Sequence, residues 1–525
     1  MDSICHCEDL PMRAVSLSPF AVLRLAALLV VVPAVQAADL PELNIDLKQT
    51  TVSGISSGAF MAVQMGVAHS AAVKGVAATA GGPYFCALQD ALGGAGVSRA
   101  IRRCMQGDPD YGVTPITADS LAQMQAAARA WSARGLIDPV DGLAGQTVWL
   151  FHGYNDGIVK KPANDALRDW YGGFTPVSQV FYKDDLNAGH AQISAACADA
   201  SSGSCNPCAQ TGGKFINACT DKPVEGGLYD AAGAALQLFY GPLQRVATAQ
   251  LGSRLEPFEQ KPFTKDRQGE SVMPIRLAMG DTGYVYVPQA CKAGEPCRLH
   301  IAFHGCMQDA GSIGTQFAAG AGFNEWADKN RIVVLYPQAR ATITTSVSLS
   351  VPTNPMGCWD WWGYNDFLYD SSAGRYAQKG GAQIAAVWRM AEKLAARVER
   401  VEDVIPAASV PALQVVDRSA SQVALVWTPM AGASAYRVAR TADGVTESDV
   451  ATLPASRTSF VDGSLSPNSV YRYRVSALFG SGEPASSGVV EVRTATSAPT
   501  CDPYFSLAKN TAVTKSKRPT TQTCP

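Results

Sequence analysis

The sequence predicts an α/β protein whose central sheet is circularly permuted, followed by a small all-β unit. Three observations predict it. A Gly54-Ile55-Ser56-Ser57-Gly58 run lies near the N-terminus. Its natural partner loop, His304-Gly305-Cys306, appears about 250 residues later. Beyond Pro411 the chain changes to short alternating stretches separated by turn residues, without helical periodicity. A Gly-x-Ser-x-Gly turn lifts its serine out of a strand-to-helix corner, and the second N–H that holds an oxyanion normally comes from a loop earlier in the chain. Here that loop follows, so half of the sheet must come from the far end of the sequence.

Composition narrows the function. A chain of 525 residues, 47% hydrophobic and 17% charged, buries a large core and has room for more than one domain. A net charge of -2 provides no basic stripe for nucleic acid and no polybasic patch for a membrane surface. Residues 1–37 read as a secretory signal peptide with its true start at Met12. Arg13 precedes an apolar run ending in Leu28-Leu29-Val30-Val31-Val32, and small residues around Ala37 supply the exit. Arg24 and Pro33 interrupt the stretch, which argues against a transmembrane anchor. Cleavage removes Cys5 and Cys7 and leaves 12 of 14 cysteines, an even number suited to disulfides in an extracellular or periplasmic setting. Cys205-Asn206-Pro207-Cys208 lacks the second pair that zinc needs, so disulfide cysteines are expected there and no metal.

Along the chain, residues 44–52 read as a strand and 59–69 as a helix, which sets the serine on a strand-turn-helix corner. Strands follow at 76–79 and 148–151, the second leading into His152-Gly153-Tyr154-Asn155-Asp156. One helix, 163–170, and one strand, 178–182, separate Asp156 from His190. That spacing reproduces the serine, acid, histidine order of an α/β-hydrolase. The polar stretch 254–273 reads as a connector. Strands at 284–288, 299–303 and 332–336, with a helix at 317–329, supply the missing half of the sheet. A helix at 381–398 closes a catalytic unit of residues 38–402, and a linker, 403–410, leads to the sandwich, 411–496. The last stretch, 497–525, is a polar tail bracketed by Cys501 and Cys524.

A serine hydroxyl needs a base, a carboxylate to orient that base, and N–H donors for the oxyanion. Ser56 is the expected nucleophile, with Ser53 and Ser57 as the ordinary serines of the turn. Asp156 is the expected acid, with Asp184 and Asp185 as alternatives. Among six histidines one lies in the leader; His69 sits on a helix, His152 and His300 lie at or in strands, and His304 opens the partner loop. His190 alone occupies a Gly-containing loop after a strand, and is the expected base. The N–H groups of Ser57 and Cys306 form the expected oxyanion hole. No cofactor enters this chemistry.

Three motifs carry a family resemblance: Ser53-Gly54-Ile55-Ser56-Ser57-Gly58, His304-Gly305-Cys306-Met307-Gln308 and Cys358-Trp359-Asp360-Trp361-Trp362. Over about residues 39–400 the chain resembles the circularly permuted poly(3-hydroxybutyrate) depolymerases, within the esterase group that also holds feruloyl and acetylxylan esterases. The resemblance implies a disulfide between Cys306 and Cys358, and a substrate-contacting aromatic at Trp359. It also implies a water-insoluble polyester and its oligomers as partners of a monomeric, secreted enzyme. Trp427, Tyr436 and the Leu465-Ser466-Pro467 to Tyr471 spacing resemble a fibronectin type III domain with its tyrosine corner. With those aromatics in its own core, this module is expected to act as a spacer. The readings set against a depolymerase are a feruloyl or acetylxylan esterase using the same machinery, and a non-catalytic surface-binding protein.

Overall fold

The computed structural model describes residues 38–87, 96–107, 115–198, 205–221, 227–343, 351–366, 374–397, 409–442 and 446–498. The signal segment, most of the linker and the Cys501 to Cys524 tail lie outside them. Among the described residues no helix is long and apolar enough to cross a membrane.

The described residues form nineteen strands, β1 to β19 in chain order. β1 (Thr50–Ile55), β2 (Val73–Thr79), β3 (Thr147–Phe151) and β4 (Val180–Lys183) come from the first part of the chain. Three short strands, β5 (Gln192–Ile193), β6 (Asn206–Pro207) and β7 (Ile216–Ala218), pair as a separate small sheet. β8 (Leu255–Glu259), β9 (Thr282–Tyr286), β10 (Arg298–Phe303) and β11 (Ile332–Tyr336) complete the large one. Its order is β4-β3-β2-β1-β10-β11-β9-β8. β1 is central, with Thr51 beside His300 on one flank and Val52 beside Val76 on the other. Strands from β4 to β11 run parallel, and β9 is antiparallel to both neighbours. The late strands β10 and β11 lie on the side of β1 away from β2, which is the circular permutation.

Side chains alternate across this sheet as the pleat requires. Val148 and Leu150 of β3 enter the core beneath the helices Ser57–Ala68 and Ala382–Leu394. Trp149 and Phe151 face the other way, against the helix Ala231–Tyr240. Both faces are covered, so the strands read as continuous apolar runs.

The departures from the sequence reading have physical causes in three places. Before β1, Asp46 accepts the Lys48 N–H and caps a 3₁₀ turn, Leu47–Gln49, so the strand starts at Thr50. The stretch read as a connector contains β8, an edge strand of the main sheet. The helix expected over 317–329 is broken into Gln316–Gly320 and Asn324–Ala327, because Gly322 sits at φ 93° between them.

β12 (Leu413–Arg418), β13 (Val423–Trp427) and β16 (Ser459–Asp462) form one sheet of the sandwich. β14 (Ala435–Thr441), β15 (Glu447–Pro454), β17 (Val470–Leu478), β18 (Ala485–Ser486) and β19 (Val490–Arg493) form the other. Trp427 and Tyr436 pack edge to face, 5.5 Å apart, in the core between them. The Ser466 N–H donates to the Tyr471 hydroxyl at 2.9 Å, which closes the tyrosine corner.

The sandwich is not a free spacer. Ala424, Val426 and Val461 on its outer face share one apolar cluster with Ala77, Trp149, Phe151 and Phe181 of the main sheet. The Gln422 amide accepts the Tyr182 N–H at 2.8 Å and donates to the Val180 carbonyl at 3.1 Å, pairing with the edge of β4 as a strand would.

Candidate active site

Ser56 stands between β1 and the helix Ser57–Ala68 with φ 55° and ψ -124°. This sparsely populated conformation is held by the Ser56 N–H donating to the Thr79 carbonyl at 3.0 Å. The two flanking glycines are steric necessities. A Cβ on Gly54 would lie 2.2 Å from the Gly58 carbonyl oxygen, and one on Gly58 would lie 2.3 Å from that of Phe303. The serine is 8% exposed.

Asp156 follows β3. Its Oδ1 accepts the N–H groups of Ile158 (2.8 Å) and Val159 (3.0 Å), while Oδ2 lies 2.7 Å from His190 Nδ1. Burial opposes charge on this carboxyl, but the His190 ring and the Ile158 N–H outweigh it and hold the group below the usual carboxylate range. With Nδ1 committed to an ionised carboxylate, His190 keeps its proton there and presents Nε2 as the acceptor. The two loops are laced together by the Tyr154 N–H to the Leu186 carbonyl (3.0 Å) and the Asn155 N–H to that of Ala188 (3.2 Å). The alternative acids are engaged elsewhere: Asp184 pairs with Lys161 and Asp185 with Lys183.

The loop 304–308 closes over Ser56. His304 is buried; its Nδ1 bonds the Gly305 carbonyl at 2.7 Å and its Nε2 accepts the Ala339 N–H at 3.1 Å. Gln308 accepts the Gly305 N–H at 2.7 Å and donates to the carbonyls of Lys214 and Phe215, each at 3.0 Å. Phe215 in turn packs edge-on against His190. Gln308 thus ties the loop above the serine to the surroundings of the histidine. Cys306 is bonded to Cys358. Among the described residues the N–H groups of Ser57 and Cys306 have no acceptor, and both belong to segments that pack around Ser56.

The remaining histidines have structural roles. His300 bonds the Thr51 and Ser53 hydroxyls, each at 2.8 Å, and His152 bonds the Val159 carbonyl at 3.2 Å. His69 stacks on Trp388 with ring centres 3.9 Å apart.

No family model matches the chain. It is 35% identical over 454 residues to the poly(3-hydroxybutyrate) depolymerase of Delftia acidovorans, spanning 85% of this chain and 79% of that protein. It is 34% identical over 357 residues to the polyhydroxybutyrate depolymerase of Talaromyces funiculosus, spanning 67% and 91%. The chain belongs to the poly(3-hydroxybutyrate) depolymerase family. Among solved structures, the PHB depolymerase from Penicillium funiculosum superimposes with a TM-score of 0.55 at 31% identity, over 69% of this chain and 100% of that one. A PHB depolymerase with serine replaced by alanine, complexed with an R3HB trimer, gives the same values.

Against this family background one expected site residue needs correction. Trp359, taken as a substrate contact, is 0% exposed. Its backbone N–H is held by the Ser57 hydroxyl at 3.2 Å, and its ring lies against Phe303 and His304. The neighbouring Cys306–Cys358 bond draws it beneath the oxyanion-type loop, where it supports the loop from below. Trp361 is also core, stacked 3.9 Å from Phe60 of the helix that follows the serine. Asp360 between them accepts the Gly363, Tyr364 and Asn365 N–H groups and fixes the turn. Each of Cys205 and Cys208 is disulfide-bonded, to Cys197 and Cys219 respectively, rather than to the other.

Proposed function

We propose that this chain is a secreted serine esterase that hydrolyses poly(3-hydroxybutyrate) and its oligomers through an acyl-enzyme. The single observation that carries the chemistry is the buried 2.7 Å Asp156–His190 hydrogen bond, in a chain whose Ser56 is held in the nucleophile-elbow conformation. The substrate is carried by the relatives, two of which are depolymerases of this polyester at more than 30% identity.

In this reading Ser56 Oγ attacks the ester carbonyl carbon while His190 Nε2 takes its proton. Asp156 stabilises the imidazolium that forms. The negative oxygen of the tetrahedral intermediate is met by the N–H groups of Ser57 and Cys306, each contributing roughly 3 kcal/mol in comparable sites. Collapse expels the hydroxyl end of the chain, protonated by His190. A water molecule, deprotonated by the same nitrogen, then releases the acid and restores Ser56. Every group needed is a side chain or backbone N–H. Met307 (39% exposed) and Met356 (47%), joined by the Met307 N–H to the Met356 carbonyl at 2.7 Å, give the loop an apolar rim suited to a neutral polyester.

A fluorophosphonate probe should label Ser56 alone, and Ser56→Ala should lose labelling and ester hydrolysis by several orders of magnitude while remaining folded. Wild-type turnover in that variant removes the nucleophile assignment. Clearing of polyester granules, set beside hydrolysis of a feruloyl sugar ester, decides between the depolymerase and the cell-wall esterase. N-terminal sequencing of protein exported to the medium tests the signal peptide.

A further inference from the structure

We infer that the β-sandwich is a working part of the hydrolase: its Asp417–Arg418 pair positions the loop that carries His190. The inference rests on the triad reading above.

The segment from Lys183 to Asp221 carries His190 and its packing partner Phe215, and the sandwich holds it at both ends. At the first end, Lys183 closes β4 and is fully buried. Its ammonium donates to the Arg418 carbonyl at 2.7 Å and pairs with Asp185 at 2.9 Å and Asp221 at 3.1 Å. At the second end, the Arg418 guanidinium lies 3.6 Å from Asp221. Asp417, also buried, accepts the Trp149 indole N–H at 2.9 Å and the Tyr229 hydroxyl at 2.6 Å through one oxygen, Oδ2.

From these anchors the connections run to the histidine itself. The Tyr229 N–H donates to the Cys219 carbonyl at 2.7 Å, and Cys219 is bonded to Cys208. The Cys208 carbonyl accepts the Gly189 N–H at 2.9 Å, one residue before His190. Leu186 and Ala188 pack into the same cluster as Ala424, Val426 and Val461 of the sandwich. Because the Leu186 and Ala188 carbonyls also hold the Asp156 loop, a shift of this segment would move both members of the Asp156–His190 pair.

Removing Asp417 would leave the buried Trp149 indole N–H and Tyr229 hydroxyl without their acceptor, and an unsatisfied buried donor costs its full desolvation penalty. A displacement of about 1 Å at a catalytic base costs on the order of 100-fold in rate. Loosening the sandwich contact should therefore appear in turnover, not only in stability. The residues involved touch neither substrate nor reacting atoms, so theirs is a positioning role.

The test uses the full chain. Asp417→Ala removes the acceptor of Trp149 and Tyr229. Val475→Ala, deep in the sandwich core and away from the interface, serves as the destabilised control. On p-nitrophenyl butyrate, Asp417→Ala should lower kcat at least tenfold with KM within twofold. The deshielded proton NMR signal of the Asp156–His190 hydrogen bond should weaken or broaden. Val475→Ala, though thermally less stable, should keep kcat within twofold and the signal intact. Asp417→Asn, which keeps an acceptor of the same shape, should recover most of the loss. If Asp417→Ala matches wild type in kcat and in the proton signal, or if Val475→Ala lowers kcat as much, positioning by the sandwich is overturned. Should Asp417→Ala not fold, Gln422→Ala, which leaves no buried charge, should lower kcat at least threefold, and an unchanged kcat overturns the inference equally. Either failure would leave the triad standing, because Ser56→Ala tests that reading separately.

Discussion

At the scale of single residues, the site is governed by two kinds of constraint, steric and electrostatic. The steric one is Gly58. Its missing Cβ is what allows the helix behind Ser56 to approach the end of β10. Gly58→Ala is therefore expected to cost more than Ser56→Ala in folding yield and thermal stability, even though the serine is the proposed nucleophile; equal melting temperatures would contradict this. The electrostatic one is Asp156. Changing Asp156→Asn preserves shape but lets the amide donate toward Nδ1, so the proton moves to Nε2, the nitrogen needed as acceptor. Activity on soluble esters should fall about 10⁴-fold with little change in fold. A loss below tenfold would mean that Asp156 does not set the tautomer. Both residues were legible in the sequence, because glycine spacing and chain order encode local backbone geometry and strand succession. Trp359 was misread because a motif gives a residue's place in the chain and not its depth. Only packing under the disulfide-bonded loop decides that.

At the scale of elements, the large sheet was readable wherever a run was buried on both faces, as in β3 and β11. It was unreadable at β8, an edge strand whose Pro257 and two glutamates resemble a linker. The docking of the sandwich has a signal in the sequence of one strand. β13, Val423-Ala424-Leu425-Val426-Trp427, contains no polar residue, whereas a strand with one solvent face should alternate. Val423, Leu425 and Trp427 fill the sandwich core while Ala424 and Val426 cover the main sheet. Gln308 was visible only as part of a motif. Its function, linking the Gly305 N–H to the carbonyls beside His190, depends on a contact about 90 residues away. The Cys306–Cys358 bond gives the element-scale prediction. It fixes the loop that packs against Ser56 to the tryptophan segment, so mild reduction should lower kcat on soluble esters before the circular dichroism of the sheet changes. Simultaneous loss of both signals would show the bond to be only a general brace.

At the scale of the whole molecule, the catalytic unit and the sandwich share a core, so a chain ending before Pro411 should not behave as a trimmed enzyme. Without the sandwich, Trp149 and Phe181 would be uncovered and Lys183 would lose the Arg418 carbonyl. Such a chain is expected to be aggregation-prone and weakly active even on soluble esters; full activity there would restore the spacer. The pH dependence of stability tests the same packing from another direction. Burial lowers His300 to about 3, so the unfolded chain, with its histidine near 6.5, binds one more proton than the folded one between those values. That stabilisation is complete above the unfolded value and is lost as the pH falls through the window. Asp417 is opposite: burial, opposed by Lys183, Tyr229 and Trp149, raises it to about 6, so the folded state holds the extra proton and loses stability as the pH rises from about 4 to 6. Each slope is about 1.4 kcal/mol per pH unit. Unfolding in urea at several pH values should show wild type losing stability relative to His300→Gln as acid is added. Against Asp417→Asn, wild type should lose stability as the pH rises through the Asp417 window. Parallel curves for His300→Gln would mean that the imidazole between Thr51 and Ser53 is charged in the folded protein, and the central pairing of β1 with β10 would then have to be built around a cation.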